Sequence, residues 1–151
     1  DLGADDFLLV QIGSGSDLYE RPVDTFVARF LGESNLIEGR VEAIEAGRAR
    51  LSVPGLPLPV DGRAAPGLAV GGPAAALLRP EVVKAVPQGI PTTVLERVYL
   101  GDMLARRLRL PGGHEIWSRR FAWEVPADEG QVAVGWERDA VSILPIAKEE
   151  P

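Results

Sequence analysis

Leu77-Leu78-Arg79-Pro80-Glu81-Val82-Val83 places two apolar runs on either side of a three-residue charged turn, and Gly135-Trp136-Glu137-Arg138-Asp139-Ala140-Val141 repeats that outline later in the chain. Proline at the centre of the first turn presets its dihedral without needing a partner. Apolar runs this short, bounded by turn residues, read as buried strands rather than helices. The shared outline suggests a weak internal duplication.

The flanking sequence keeps this texture from Asn35 onward. Leu36 to Ile44 alternates, Glu45-Ala46-Gly47 turns, and Arg48–Val53 and Leu56–Val60 read as two strands, the second bounded by Pro54-Gly55 and Asp61-Gly62. Residues 64–72 read as a loop before the strand Ala74–Leu78, and Val82–Val86 continues the chain up to Pro87. Thr92–Leu100 is long and β-branched, Gly101-Asp102 turns it, and Met103–Leu110 returns. Gly112-Gly113 is a two-residue hairpin signal, because glycine reaches the positive φ such turns require. His114–Phe121, Gln131–Trp136 and Ala140–Ile146 complete about ten short strands, the pattern of an all-β barrel or sandwich.

Upstream the texture differs. Ser14 with Asp17 matches a capping box, Pro22 stops that helix at Arg21, and Asp24 or Thr25 caps a second one. In the second, Phe26, Val27, Phe30 and Leu31 share a face until Gly32, so helix is expected mainly over Ser14–Arg21 and Asp24–Leu31. Phe7-Leu8-Leu9-Val10 reads as a strand with no partner nearby. The chain opens at Asp1 and its only methionine is Met103, so it is expected to be a piece of a longer polypeptide.

Gln11-Ile12-Gly13, Leu18-Tyr19-Glu20-Arg21-Pro22, Phe26-Val27-Ala28-Arg29-Phe30-Leu31-Gly32 and Asn35-Leu36 resemble the seam between the nucleotide-binding domain and the C-terminal TOBE domain of import-type ABC transporter ATPases. Gly15 stands where proline is more common in that family. Leu77-Leu78-Arg79-Pro80-Glu81, Tyr99-Leu100-Gly101-Asp102, the strands around Gly112-Gly113, and Val134-Gly135-Trp136 with Ala140–Leu144 resemble the TOBE domain of polyamine, iron and sugar importers. The resemblance implies a mainly β fold: an OB-like TOBE barrel over residues 36–147, preceded by a two-helix connector within residues 1–35 that also holds the end of the nucleotide-binding domain, and followed by a tail at 148–151. Arg79, Pro80, Glu81, Tyr99, Gly101 and Asp102 are its motif positions. It further implies a homodimer of ATPase subunits, permease subunits contacted through the nucleotide-binding domain, and a cytoplasmic place on the inner face of the membrane.

Absences bound the chemistry. No G-x-x-x-x-G-K-[ST] occurs, so no loop here would cradle nucleotide phosphates; ATP and magnesium are expected in the parent chain, with no cofactor, metal or catalysis in this region. Gly13-Ser14-Gly15 completes neither a dinucleotide loop, since Leu18 takes the third glycine position, nor a nucleophile elbow. Asp5-Asp6, Asp128-Glu129 and Glu149-Glu150 are ordinary solvated pairs, and His114 reads as an exposed hairpin residue. There is no cysteine, and the longest uncharged run, residues 64–78, is broken by Pro and Gly and too short to span a membrane.

Two other functions are consistent with a small barrel. Arg106, Arg107, Arg109, Arg119 and Arg120 interleave with Trp117, Phe121 and Trp123, as a single-stranded nucleic-acid platform would require. A net charge of −6 argues against it. A small-oxyanion-sensing barrel is the other. Trp117, Phe121 and Trp123 are expected instead at a self-association interface, where aromatic and arginine side chains are enriched.

Overall fold

The computed structural model describes residues 34–127 and 130–146. The expected helices over Ser14–Arg21 and Asp24–Leu31 and the strand Phe7–Val10 lie outside these residues. Within them are nine strands and three single 3₁₀ turns. β1 (Asn35–Glu45), β2 (Arg48–Ser52), β3 (Val60–Ala64), β4 (Pro73–Leu78) and β9 (Ser142–Pro145) close an OB-like barrel in the order β1-β2-β3-β9-β4. Alternation decides their faces: Ile37 and Val41 on β1 and Ala49 and Leu51 on β2 point inward. β4 is buried at every position after Pro73, which is why it reads as an unbroken apolar run.

β5 (Lys84–Leu100), β6 (Met103–Arg109), β7 (Glu115–Phe121) and β8 (Gln131–Gly135) form a second sheet in the order β7-β6-β5-β8. Its register repeats that of the barrel. In the first unit Ile37, Glu38, Gly39 and Arg40 face Ala76, Ala75, Ala74 and Pro73. In the second, Ile90, Pro91, Thr92 and Thr93 face Val134, Ala133, Val132 and Gln131. A bulge follows Val41 in one and Val94 in the other, and the amide of each donates to a glycine carbonyl, Gly72 at 3.0 Å and Gly130 at 2.8 Å.

The two similar stretches are the crossovers between the units. Each makes a 3₁₀ turn, Pro80–Val82 and Arg138–Ala140, closed by the same pair of backbone bonds. Beyond its turn the chain pairs with the fourth strand of the other unit. Ser142 and Ile143 face Leu77 and Ala76, while Lys84 and Ala85 face Gly135 and Val134. The units therefore exchange a strand. Because Val134 also faces Ile90, β8 lies between two arms of β5.

Several expectations require correction. Leu56–Val60 is not a strand: Pro57 and Pro59 lack the donors a ladder needs, and Leu56 N–H closes a turn onto the Val53 carbonyl at 3.1 Å. Asp61-Gly62 is not a turn but lies within β3, where a Cβ on Gly62 would sit 2.8 Å from the Val141 carbonyl oxygen. Pro87 does not end its strand, since residues 86–89 pass between the arms of β5 and make no ladder pair. The Gly112-Gly113 hairpin has three residues at its tip, with Leu110 N–H on the His114 carbonyl at 2.7 Å.

The core runs through both units. Ile37, Leu51, Leu78 and Ile143 of the first pack in one cluster with Leu108, Ile116 and Val134 of the second. The loop after β2 and the tip of the β6–β7 hairpin touch backbone to backbone, so that a Cβ on Gly55 would fall 2.3 Å from Gly112 Cα.

Candidate functional site

The second sheet turns one face outward. Register places Glu96, Arg107 and Trp117 in one row, Val98, Ala105 and Arg119 in the next, and Leu100, Met103 and Phe121 in the last. Arg107 joins two glutamates on this face, Nη1 to Glu115 Oε1 at 2.7 Å and Nε to Glu96 Oε1 at 3.1 Å. Its side-chain bonds to Glu115 first and to Glu96 second push its pKa above the usual arginine range. Apart from Arg119 the lower rows are apolar, and the last is partly uncovered, with Leu100 55% and Phe121 46% exposed.

Where β7 meets the crossover Pro80–Val82 lies a cleft of about 440 Å³, walled by Pro80, Val98, Leu100, Ala105 and Trp117 and edged by Ser34, Asn35 and Arg119. Asn35 acts on the edge of β7 as a strand would. Its Nδ2 donates to the Trp117 carbonyl at 2.9 Å, and Trp117 N–H donates back to Oδ1 at 2.7 Å. Arg120 Nη1 donates to the Glu81 carbonyl at 2.8 Å, and its Nη2 lies 3.2 Å from Glu124 Oε2. Arg119 lies 3.5 Å from Glu81 Oε1.

Beyond the cleft, on the continuation of β7, Phe121 and Trp123 stack with centroids 5.8 Å apart and planes at 16°. Trp123 is 80% exposed. The β5–β6 turn abuts this pair, because Asp102 C=O accepts from Ala122 N–H at 2.7 Å, and Gly101 supplies its positive φ of 62°. Tyr99 is exposed at the same end.

Most of the residues singled out in the sequence thus fall on one end of the second unit. Pro80 and Trp117 line the cleft, with Glu81 beside it; Tyr99, Gly101, Asp102, Phe121 and Trp123 stand at the adjoining tip. Arg79 is buried rather than displayed. Asn35 and Leu100 belong to the site but were not expected there. An amide residue opening a strand gives no sign of the distant edge it will pair with.

The arginine cluster does not form a basic platform. Arg106 is buried, Arg107 is tied by two glutamates, and Arg119 and Arg120 contact Glu81 and Glu124. Arg109 is exposed. Among the described residues no three acidic or histidine side chains group as metal ligands, and no helix is long and apolar enough to cross a membrane.

Residues 76–144, from within β4 to within β9, match the TOBE domain family. The chain is 37% identical over 146 residues to a spermidine/putrescine import ATP-binding protein of Methylococcus capsulatus, covering 89% of this chain and 37% of that protein. It is 37% identical over 108 residues to an Fe(3+) ions import ATP-binding protein of Brucella abortus, covering 70% of this chain and 30% of the relative. It therefore spans about a third of the length of these relatives. Among solved structures, the cytoplasmic molybdate-binding protein ModG shares the fold, with TM-score 0.57, 19% identity, and 74% of this chain and 96% of that one covered.

Proposed function

This chain carries a TOBE domain of the kind found in ABC importer ATP-binding subunits, and from that premise we propose that it is the C-terminal regulatory and dimerisation region of such a subunit. In this reading residues 1–35 hold the end of a nucleotide-binding domain with its helical connector, and residues 36–147 form the TOBE region ahead of a short tail. ATP and magnesium are handled by the parent chain, which reaches the permease subunits at the inner face of the membrane. The TOBE region performs no chemistry; it holds two ATPase subunits together while their nucleotide-binding domains open and close.

The observation that carries this reading is the similarity of most of the chain to import ATP-binding proteins of two different substrate classes. A region common to polyamine and iron importers is suited to a duty that does not depend on the solute. The absence of a G-x-x-x-x-G-K-[ST] loop from the sequence is consistent with it.

A chimera tests it directly: the matched portion of the Methylococcus relative is replaced by this chain. The chimera is expected to hydrolyse ATP and to purify as a dimer, whereas this chain alone gives no heat with Mg-ATP. Saturable Mg-ATP binding by this chain, or a hydrolysing chimera that is always monomeric, would contradict it.

A further inference from the structure

The two units are built alike but close differently. In the first, β3 pairs in parallel with β9 at Arg63↔Ser142 and Ala64↔Ile143, so backbone seals the barrel. At the corresponding place in the second unit, β7 and the first arm of β5 share no ladder among the described residues. Side chains span that seam instead: Asn35 onto Trp117, and Arg119 and Arg120 onto Glu81. The cleft of about 440 Å³ is what this substitution leaves uncovered.

An apolar hole and an apolar knob then lie on one face. Arg119 edges the cleft; Phe121, the next residue on that side of β7, stacks on Trp123, the most exposed large apolar side chain among the described residues. The surrounding charges balance, Glu81 against Arg119 and Glu124 against Arg120. Two identical surfaces can therefore meet here without the repulsion expected elsewhere on a chain of net charge −6. An isologous contact requires knob and hole on the same patch, each copy giving what the other receives.

We propose that two copies of this chain associate by each seating Trp123 in the seam cleft of the other, against Pro80, Leu100 and Trp117. The proposal rests on the dimerisation reading above and names its contact.

The test uses sedimentation of the whole chain over a concentration series up to about 1 mM, the weak end of measurable association. Trp123→Ala removes the knob and Leu100→Lys charges the hole. Each variant alone should weaken the dimer about thirtyfold or more, the loss typical of an aromatic anchor at an interface centre. Mixed together they keep one intact knob and one intact hole, so the mixture should associate more tightly than either variant alone. Trp123→Phe should retain most of the affinity. If Leu100→Lys fails to fold by circular dichroism, Trp123→Ala decides by itself. A dimer that Trp123→Ala leaves unchanged overturns this contact and spares the dimerisation reading; a wild-type chain that stays monomeric throughout overturns both.

Discussion

Replacing Gly112 by alanine should be far costlier than making the same change one residue later. Both glycines sit at the β6–β7 hairpin tip with nearly equal dihedrals, φ 94° and 97°. An L side chain in that region costs on the order of 1–3 kcal/mol, and alanine returns about 0.4–1 kcal/mol by restricting the unfolded chain. Gly113→Ala, with nothing within 4 Å of the new Cβ, should therefore lose roughly 1–2 kcal/mol. At Gly112 the new Cβ would lie 2.6 Å from the Pro54 carbonyl oxygen and 2.9 Å from Gly55 Cα. These are backbone atoms that no rotamer change can move aside. Separating the two turns should raise the loss to roughly 3–5 kcal/mol, in the range reserved for overpacked and strained sites. Urea unfolding followed by circular dichroism measures both variants at constant slope. Gly55→Ala should be similarly costly, and the double variant should lose less than the sum, because both changes break one contact. Equal losses at Gly112 and Gly113, or strict additivity of Gly55 and Gly112, would refute the argument that these turns fasten the two units together.

Asn35→Ala removes both bonds to the Trp117 backbone at a buried position and should cost about 2–3 kcal/mol, with faster hydrogen exchange along β7 than along β3. Asn35→Asp keeps the acceptor but loses the donor, and should fall between alanine and wild type. Arg107→Ala leaves Glu96 and Glu115 without the cation that joins them on an exposed face; the expected loss is small and fades with added salt, which a denaturation series at two ionic strengths reads. Acrylamide should quench Trp123 much more readily than Trp117 and Trp136 in dilute solution, as single-tryptophan variants would report.

The sequence exposed those parts of the fold that are local. Short apolar runs between turn residues identified most strands, and the stretches around Arg79-Pro80-Glu81 and Glu137-Arg138-Asp139 correctly hinted at a repeat. What stayed hidden depends on distant contacts. Gly62 reads as a turn glycine but is a packing glycine against Val141, and Pro87 reads as a stop but sits where no ladder bond is needed. Trp123 was singled out with Trp117 and Phe121 because large aromatics interleave there with arginines. The cleft beside it was not, since it arises from a pairing that β7 does not make, and no local pattern records an absent partner strand.

That missing pairing is where the two similarly built units differ. Two identical closed units would present two equivalent sides and no reason to prefer either for contact. Here the crossover Arg138–Ala140 is held to the first unit by a charge network, with Arg48 reaching Asp61 and Asp139 at 3.1 Å each and donating to the Arg138 carbonyl at 3.1 Å. The cleft at the matching place, about 350 Å³, has Asp61 and Arg138 at its edge, 3.8 Å apart, and Pro57, Leu58, Pro59, Ile90 and Trp136 as apolar lining. Burying that edge against a partner would mean desolvating ions that already satisfy one another, an exchange that returns little. At the crossover Pro80–Val82 the corresponding positions carry Pro80 and Trp117, so apolar surface is what a partner would cover. The same backbone plan therefore places an ion pair at the edge of one cleft and Pro80 with Trp117 at the corresponding positions of the other.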